Sequence, residues 1–388
     1  MRRRQEWRHE FLFRAFKASS VFKRTMSEPS DAQEPKRFGE HRNNFGFLRL
    51  LFAALVIVSH TPELVDGDRS RELLTSVFGT ISFGELAVDG FFLISGYLIV
   101  ASFVKDPRPG AYLLKRAARI YPAFLVASAF CLIIVAPLAG GAPPSSVGAV
   151  IKSVARAFLL VPPVAPGAFE GAPYPSLAAA TWTISVEFRC YLLVLVLGTI
   201  GTFRRPWIVA LLAGASLLSF ELAPPSFWLF ADGLPVAPAW IFGLRQYARL
   251  GGIFMVGSLF YLWRDHIRLH RFGAAVALLA LCACLFVTKL AEPALAVFGG
   301  YLIFAFANWP HSGVLGRINN RDDISYGLYL YAWPIENLIV WLWALPLFVA
   351  GTATLLIAAG FGWLSWQIIE KPVMKLLRHD IRRPAKSV

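Results

Sequence analysis

The sequence predicts an all-α, polytopic membrane protein with about ten transmembrane helices and both termini in the cytoplasm. Of its 388 residues, 56% are hydrophobic and only 16% are charged, which is more apolar surface than a soluble domain of this size can bury. The apolar residues form long blocks, and a helix needs roughly 20 such residues to cross a bilayer core. Basic residues are also distributed unequally between alternate loops.

Ten apolar segments have approximately the length of a membrane span, although two of them are short. They are residues 45–62, 84–103, 120–139, 178–201, 207–222, 247–263, 272–289, 293–309, 324–345 and 347–369. A helix is the expected conformation of each because it satisfies its backbone polar groups internally in lipid. The strands of a membrane barrel alternate between apolar and polar residues, and these blocks do not.

The basic residues predict the orientation of the bundle. With the N-terminus inside, the cytoplasmic loops contain 29 Lys and Arg residues, while the opposite loops and the segment ends that adjoin them contain seven, as the positive-inside rule requires. The net charge of +14 therefore reflects topology and contact with anionic membrane lipids. We expect an integral membrane protein that does not bind nucleic acid.

Three parts of the chain follow from this pattern. Residues 1–44 form a basic N-terminal tail that is expected to be cytoplasmic and disordered, since it has low hydrophobicity and no secretory signal. Residues 45–370 form the transmembrane domain, and residues 371–388 form a basic cytoplasmic C-terminal tail. Met26 offers a second start, which would leave residues 1–25 untranslated.

The cysteines and the longest external connection carry weaker signals. The four cysteines, at positions 131, 190, 282 and 284, lie in apolar segments, and their spacing predicts neither a metal site nor a disulfide framework. The connection 140–177 is rich in Pro and Gly, and its residues 145–160 predict a helix on the membrane surface. That helix could shape a binding site or simply pack against the bundle.

The first apolar segment carries two ionisable residues, Arg49 and His60. A charge near the centre of a membrane helix costs about 2.5–3.5 kcal/mol on insertion scales, so it usually has a partner or a task. Eleven residues at about 100° each place the two side chains within roughly 20° of one face and about 16 Å apart along the axis. A histidine near a helix end can also be a simple interfacial residue.

Two carboxylates are expected at a depth similar to that of His60. Asp89 opens the second segment and Glu187 lies about two turns into the fourth, and both segments run inward from outside. An imidazole that converges with two carboxylates can act as a general base with an orienting partner. The structural alternatives are that Asp89 caps its helix and that Glu187 pairs with Arg189 or Arg49.

A second basic cluster, Lys115, Arg116 and Arg119, precedes the third segment on the cytoplasmic side. Arg116 and Arg119 are three residues apart and share a helical face. Guanidinium groups in that position can bind phosphate oxygens bidentately. The alternative is that the cluster only anchors the topology of the chain.

Six motifs occur in order along the chain. They are Arg49-x10-His60, residues 88–97 (VDGFFLISGY), 115–122 (KRAARIYP), 182–191 (WTISVEFRCY), 324–334 (ISYGLYLYAWP) and 369–372 (IEKP). Over roughly residues 42–375, this set resembles the acyltransferase-3 family of membrane O-acyltransferases. The resemblance implies a ten-helix domain that transfers an acyl group, mostly acetyl, from cytoplasmic acyl-CoA to an external hydroxyl. Acyl-CoA would be a donor substrate, with no permanently bound cofactor and no metal.

The resemblance also implies roles for individual residues. His60 and Arg49 match the essential histidine and arginine of the family, and Glu187 matches its acidic residue in the fourth helix. Arg116 and Arg119 match its basic motif. We therefore expect His60, Glu187 and Asp89 to be catalytic and Arg49, Arg116 and Arg119 to bind acyl-CoA.

This chain departs from the family pattern at Ala332, where many members have a histidine. The departure leaves Tyr329, Tyr331 and Glu336 as the polar groups of that stretch. Members of the family modify lipopolysaccharide, exopolysaccharide, Nod factors and some antibiotics, so the resemblance implies a glycan acceptor and the inner membrane of a bacterium. The alternative function is transport of a glycan or lipid-linked sugar, against which the absence of an obvious inverted repeat counts.

Overall fold

The computed structural model describes residues 43–224, 226, 243–308 and 313–382. All the regular secondary structure in these ranges is helical, which confirms the predicted all-α fold class. The predicted N-terminal tail lies outside the described residues except for positions 43 and 44, and so do residues 383–388. The C-terminal stretch that was predicted only as a basic tail is helical as far as Arg382.

The helices are numbered here in chain order. They are α1 (Phe45–Asp66), α2 (Leu73–Phe78), α3 (Phe83–Lys105), α4 (Pro109–Leu138), α5 (Val147–Phe158), α6 (Trp182–Thr199), α7 (Pro206–Leu222), α8 (Gly243–Leu262), α9 (Arg271–Cys284), α10 (Thr288–Ala307), α11 (Ser325–Leu342), α12 (Leu347–Ser365) and α13 (Lys371–Arg382). π-Helical turns interrupt α4 and α10, and a third one joins α12 to α13.

Six helical segments in the described ranges are long and apolar enough to cross a membrane. They comprise α1, α3, α4 and α10, together with α6 extended by the turn before it and α12 extended through the π-helical turn into α13 as far as Leu377. Helices α7 and α9 are apolar but shorter, and α8 and α11 cover the predicted segments 247–263 and 324–345. Among the described residues, each of the ten predicted segments thus coincides with a helix over most of its length, while the number of ten spans and the orientation of the termini stay predictions.

The outer surface of the helices is apolar, as lipid contact requires. Ile133, Leu279 and Leu356 expose 70%, 72% and 69% of their surface, respectively. Large apolar side chains with this exposure would form an unfavourable patch in water. The chain is therefore described as an integral membrane protein.

Local sequence signals explain where several helices begin and end. The Ser82 side chain accepts from the Glu85 backbone amide and the Glu85 side chain accepts from the Ser82 amide, a capping box that starts α3. Gly67 ends α1 with φ of 74°, a left-handed conformation that glycine adopts without strain. Ser146 caps α5, the predicted surface helix.

The third membrane segment starts earlier than the sequence predicted. Pro109 occupies the first turn of α4, where its missing amide hydrogen costs nothing. The helix therefore begins eleven residues before position 120. Lys115, Arg116 and Arg119 lie within the helix rather than in a loop before it, because a polar first turn can be helical without being apolar.

Helix α1 packs against α3, α11 and α12. Helices α3 and α8 cross closely at two glycines. A Cβ atom on Gly96 would lie 2.0 Å from the Phe254 carbonyl oxygen, and one on Gly257 would lie 2.1 Å from the Leu93 carbonyl oxygen. Small residues permit this close approach of membrane helices, which fixes α3 and its polar residues beside α8.

Candidate active site

His60 lines a cavity of about 330 Å³ near the C-terminal end of α1. We call it the histidine cavity. It is lined by His60, Glu63, Arg69, Glu85, Tyr174, Trp182, Gln246, Arg249 and Trp333, among others. The imidazole ring packs edge-on against the Trp333 indole, with 4.8 Å between the ring centroids.

A carboxylate that the sequence analysis missed holds the imidazole in place. His60 Nδ1 lies 3.0 Å from Glu63 Oε2, and the Glu63 side chain is only 5% exposed. An ionised carboxylate can only accept hydrogen bonds, so Nδ1 carries the proton and Nε2 of the neutral ring is left as a proton acceptor. The signal was present in the sequence, since residues three apart on a helix are neighbours.

Glu63 is itself held by Arg69, which follows α1. The Arg69 guanidinium donates from Nη2 to both carboxylate oxygens of Glu63, at 2.9 and 3.0 Å. Because Arg69 favours the ionised form of Glu63 and fixes its position, the carboxylate orients the imidazole and can stabilise its protonated form. His60, Glu63 and Arg69 form a chain of the kind in which a general base is oriented by a second group.

The predicted basic residues line a second cavity, of about 150 Å³, which we call the arginine cavity. Its lining residues include Arg49, Ser95, Arg116, Arg119, Glu187 and Tyr191. The structure therefore brings the three predicted acyl-CoA ligands to one place, although Arg49 is 67 residues from the nearest of the other two. The partners of each arginine determine whether its hydrogen-bond donors are available to a ligand.

Arg119 is committed to two carboxylates. Its Nη2 lies 2.6 Å from Asp323 Oδ2 and its Nη1 lies 2.8 Å from Glu370 Oε2, while Arg49 Nη2 lies 3.3 Å from the same Asp323 oxygen. Burial alone would raise the pKa of Asp323, but the Arg119 and Arg49 guanidinium groups lower that pKa to about 2. Asp323 is therefore ionised at neutral pH, and Arg119 links it to Glu370 through two ion pairs.

Arg116 has weaker partners. Its Nη2 donates to Ser102 Oγ at 3.3 Å, its guanidinium lies 5.8 Å from the centre of the Tyr112 ring, and its Nε is buried without a hydrogen-bond acceptor. Within the described part of the chain it forms no ion pair. The neighbouring Lys115 pairs instead with Asp106 at 2.8 Å, outside the cavity.

The structure does not bring together the three predicted catalytic residues. Glu187 lies in the arginine cavity, where it accepts hydrogen bonds from Ser95 at 2.7 Å and Tyr191 at 2.6 Å. Neither Arg49 nor Arg189 is its ion-pair partner among the described residues. The role of Glu187 in the chemistry stays a prediction, at a position close to the arginines rather than to His60.

Asp89 lines neither of these two cavities. Its carboxylate is fully buried and accepts from Arg249 Nη2 at 2.7 and 2.9 Å, and Arg249 Nε lies 2.7 Å from Glu292. Ser82 caps α3, so the alternative that Asp89 is the helix cap is wrong. The catalytic role of Asp89 stays a prediction, and its geometry is that of a buried ion pair between α3 and α8.

The two cavities adjoin. Val88, Thr183 and Tyr329 line both of them, so a group bound at the arginines and a group bound at His60 are separated by these three side chains. Arg49 and His60, predicted to share a face of α1, each line one of the adjoining cavities. The polar groups that line the arginine cavity and the histidine at the other cavity thus lie on opposite sides of a shared wall.

The other polar residues near Ala332, Tyr331 and Glu336, line neither of the two cavities. Tyr331 packs between the rings of Phe130 and Phe361. Glu336 is buried and accepts from Thr61 Oγ1 at 2.5 Å. Across the residues that the structure describes, no group of three or more His, Cys, Asp or Glu side chains could hold a metal ion.

Comparison with known proteins supplies the family. The profile of the acyltransferase-3 family, described as an acyltransferase domain, matches residues 42–370. Nodulation protein 10 of Rhizobium leguminosarum bv. viciae is 28% identical over 376 residues, which cover 87% of this chain and 94% of that protein. The O-acetyl transferase of Shigella phage Sf6 is 26% identical over 337 residues, or 85% and 96% of the two chains. No solved structure matches.

Proposed function

Because the chain belongs to the acyltransferase-3 family, we propose that it moves an acyl group, acetyl in particular, from cytoplasmic acyl-CoA to a hydroxyl of an extracytoplasmic glycan. The observation that carries this proposal is the pair of adjoining cavities. One has arginines that suit a phosphorylated donor, and the other has a histidine oriented as a base. A bacterial inner membrane is the proposed location.

The arginine cavity is the proposed binding site of the donor. Coenzyme A carries phosphate groups, and guanidinium groups bind phosphate through charge-assisted hydrogen bonds. Arg116 supports this assignment because its donors are only weakly used, and Arg49 adds a second guanidinium at the same cavity. Arg119 helps to position Arg49, because Asp323 pairs with both guanidinium groups. The polar nucleotide of coenzyme A stays at the cytoplasmic side, since it does not cross lipid.

His60 is the proposed general base. Its Nε2 removes the proton from the acceptor hydroxyl while the hydroxyl oxygen forms a bond to the thioester carbonyl carbon. The carbon–sulfur bond then breaks, and the coenzyme A thiolate leaves and takes up the proton that His60 removed. Glu63 stabilises the imidazolium that exists between these two proton transfers. In a two-step reaction through a covalent acyl group, His60 would activate the hydroxyl in the same way.

The histidine cavity is the proposed site of the acceptor glycan. Aromatic rings of Tyr174, Trp182 and Trp333 line it together with Arg69 and Gln246. Rings combined with a few polar groups are typical of sites for small polar ligands. The Trp333 indole and the Asn337 amide also donate to backbone carbonyls of Tyr174 and Ser176, which holds the loop 174–176 against α11 beside this cavity.

The direct test compares surface glycan from strains with and without the gene. The proposal predicts that base-labile acetate on the polysaccharide is lost with the gene and restored by the intact chain, and not by His60→Gln. If the glycan were absent from the surface instead of unacetylated, the chain would be a transporter.

Replacement of Arg116 tests the donor site. Arg116→Ala should raise the KM for acetyl-CoA by some 10- to 150-fold with a smaller change in kcat, because a charge-assisted hydrogen bond contributes about 1.5–3 kcal/mol. Lys115→Ala is the matched control, since it removes an adjacent cation that lies outside the cavity. An unchanged KM in a folded Arg116→Ala protein would show that the basic cluster does not bind the donor and serves only to orient the chain in the membrane.

Replacement of Glu63 tests the orientation of the base. Glu63→Gln should lower kcat by tenfold or more and leave the KM for acetyl-CoA unchanged, because the amide cannot stabilise the imidazolium and Glu63 does not line the arginine cavity. Asp66→Asn is the control, as it removes a carboxylate one turn further along α1 that pairs with the exposed Arg71. Equal effects of the two substitutions would assign Glu63 a structural role only.

A further inference from the structure

Three side chains separate the arginine cavity from the histidine cavity. Val88 comes from α3, Thr183 from α6 and Tyr329 from α11. Tyr329 and Thr183 are buried, with 7% and 6% of their surface exposed. A group that moves from the arginine cavity to His60 through the wall that the two cavities share passes these three residues, provided that the proposed function holds.

The Tyr329 side chain is fixed at both ends. Its hydroxyl lies 2.6 Å from Thr183 Oγ1 and donates to the Ala180 carbonyl oxygen at 2.6 Å. Its ring packs edge-on against Phe91, with 6.0 Å between the centroids. A ring that is held in this way cannot swing aside without leaving buried polar groups unpaired, so the size of the passage is set by the fold.

The geometry limits what can go through. Arg49 and His60 are about 16 Å apart along α1 by the helical rise, so the donor phosphates and the acceptor hydroxyl lie on opposite sides of the passage. The pantetheine arm of the donor has to enter the passage to bring the thioester to His60. The acyl group is attached to the end of that arm. It therefore enters the passage before the rest of the arm and has to fit between Val88 and the Tyr329 ring.

We propose that Val88, Thr183 and Tyr329 form a passage that selects short acyl groups, acetyl above butyryl, at the step where the thioester reaches His60. This inference deepens the proposed function, since it names the residues that determine the donor class. It assigns Tyr329 a role in specificity, while Tyr331, two residues later on the same helix, lines neither cavity.

The test measures transfer from two donors in membrane vesicles that contain the native acceptor. Acetyl-CoA and butyryl-CoA, each labelled in the acyl group, are compared by kcat/KM. The intact chain should prefer acetyl by at least about tenfold, because one methylene in a fitted site changes kcat/KM by about 10- to 200-fold. Val88→Ala and Tyr329→Phe should each lower that preference several-fold, the first by adding space and the second by releasing the ring.

Tyr331→Phe is the matched control. It also removes a hydroxyl from a buried tyrosine of α11, and its preference for acetyl should equal that of the intact chain. The inference is overturned if Val88→Ala and Tyr329→Phe both transfer acetyl with an unchanged preference, or if the intact chain uses both donors equally. Loss of all transfer in a folded Tyr329→Phe protein with Val88→Ala unchanged would assign the hydroxyl to the chemistry and also overturn it. If no acyl-CoA is a donor for the intact chain, the proposed function itself fails.

Discussion

His60→Gln should lower the rate of acyl transfer by about 10²- to 10⁴-fold, the usual contribution of a general base. Glutamine keeps a hydrogen-bonding group near Glu63 and Trp333, but an amide cannot accept the proton of the acceptor hydroxyl. The fold should survive, since the substitution introduces no unpaired charge. Labelled acetyl incorporation, divided by the amount of folded protein in the membrane, measures the effect.

His266→Gln is the control for that experiment, because the same change is made at an exposed histidine outside both cavities. It should transfer at the rate of the intact chain. Near-normal transfer by His60→Gln would remove the histidine from the chemistry and leave it as a residue that packs against Trp333.

Arg249→Met should abolish most of the folded protein. The substitution leaves Asp89 and Glu292 buried without their cation, and breaking a buried ion pair by removing one partner typically costs about 3–5 kcal/mol. Asp89→Asn should cost less, because Arg249 keeps Glu292. The triple variant D89N/R249M/E292Q should recover folded protein, since it leaves no unpaired charge. The measurement is the fraction of detergent-extracted protein that remains monodisperse after heating.

Arg108→Met provides the matched control for Arg249→Met. Arg108 also pairs with an aspartate, Asp106, but its side chain is 63% exposed, so its loss should leave the folded fraction unchanged. The series also tests the predicted catalytic role of Asp89. If folded Asp89→Asn protein loses at least a hundredfold in transfer rate, Asp89 belongs to the chemistry; the ion-pair geometry predicts that it does not.

The helices could be predicted from the sequence because apolar length and caps are local properties. A helix was expected over residues 145–160 and is observed as α5, with Ser146 as its cap, while its location on the membrane surface stays a prediction. The start of α4 at Pro109 was missed because its first turns are helical without being apolar. The common face of Arg49 and His60 follows from helical geometry alone.

The partners of the site residues could not be predicted, because they depend on which helix faces meet. The carboxylates that hold Arg119 come from Asp323 and Glu370, more than 200 residues further along the chain. Asp89 was expected beside His60, yet the close crossing of α3 and α8 turns it toward Arg249. Only Glu63, three residues from His60 on one helix, had a local signal.

The central claim, that an acyl group passes from a donor on one side of the membrane to a hydroxyl on the other, can be measured in sealed inverted vesicles from cells that express the chain. Acetyl-CoA labelled in the acetyl group is added outside, where the cytoplasmic face is exposed. The account predicts base-labile label on glycan inside the vesicles, lost in His60→Gln. Unlabelled glycan inside vesicles that contain folded protein, or label that appears only when acetyl-CoA is enclosed in the lumen, would contradict it.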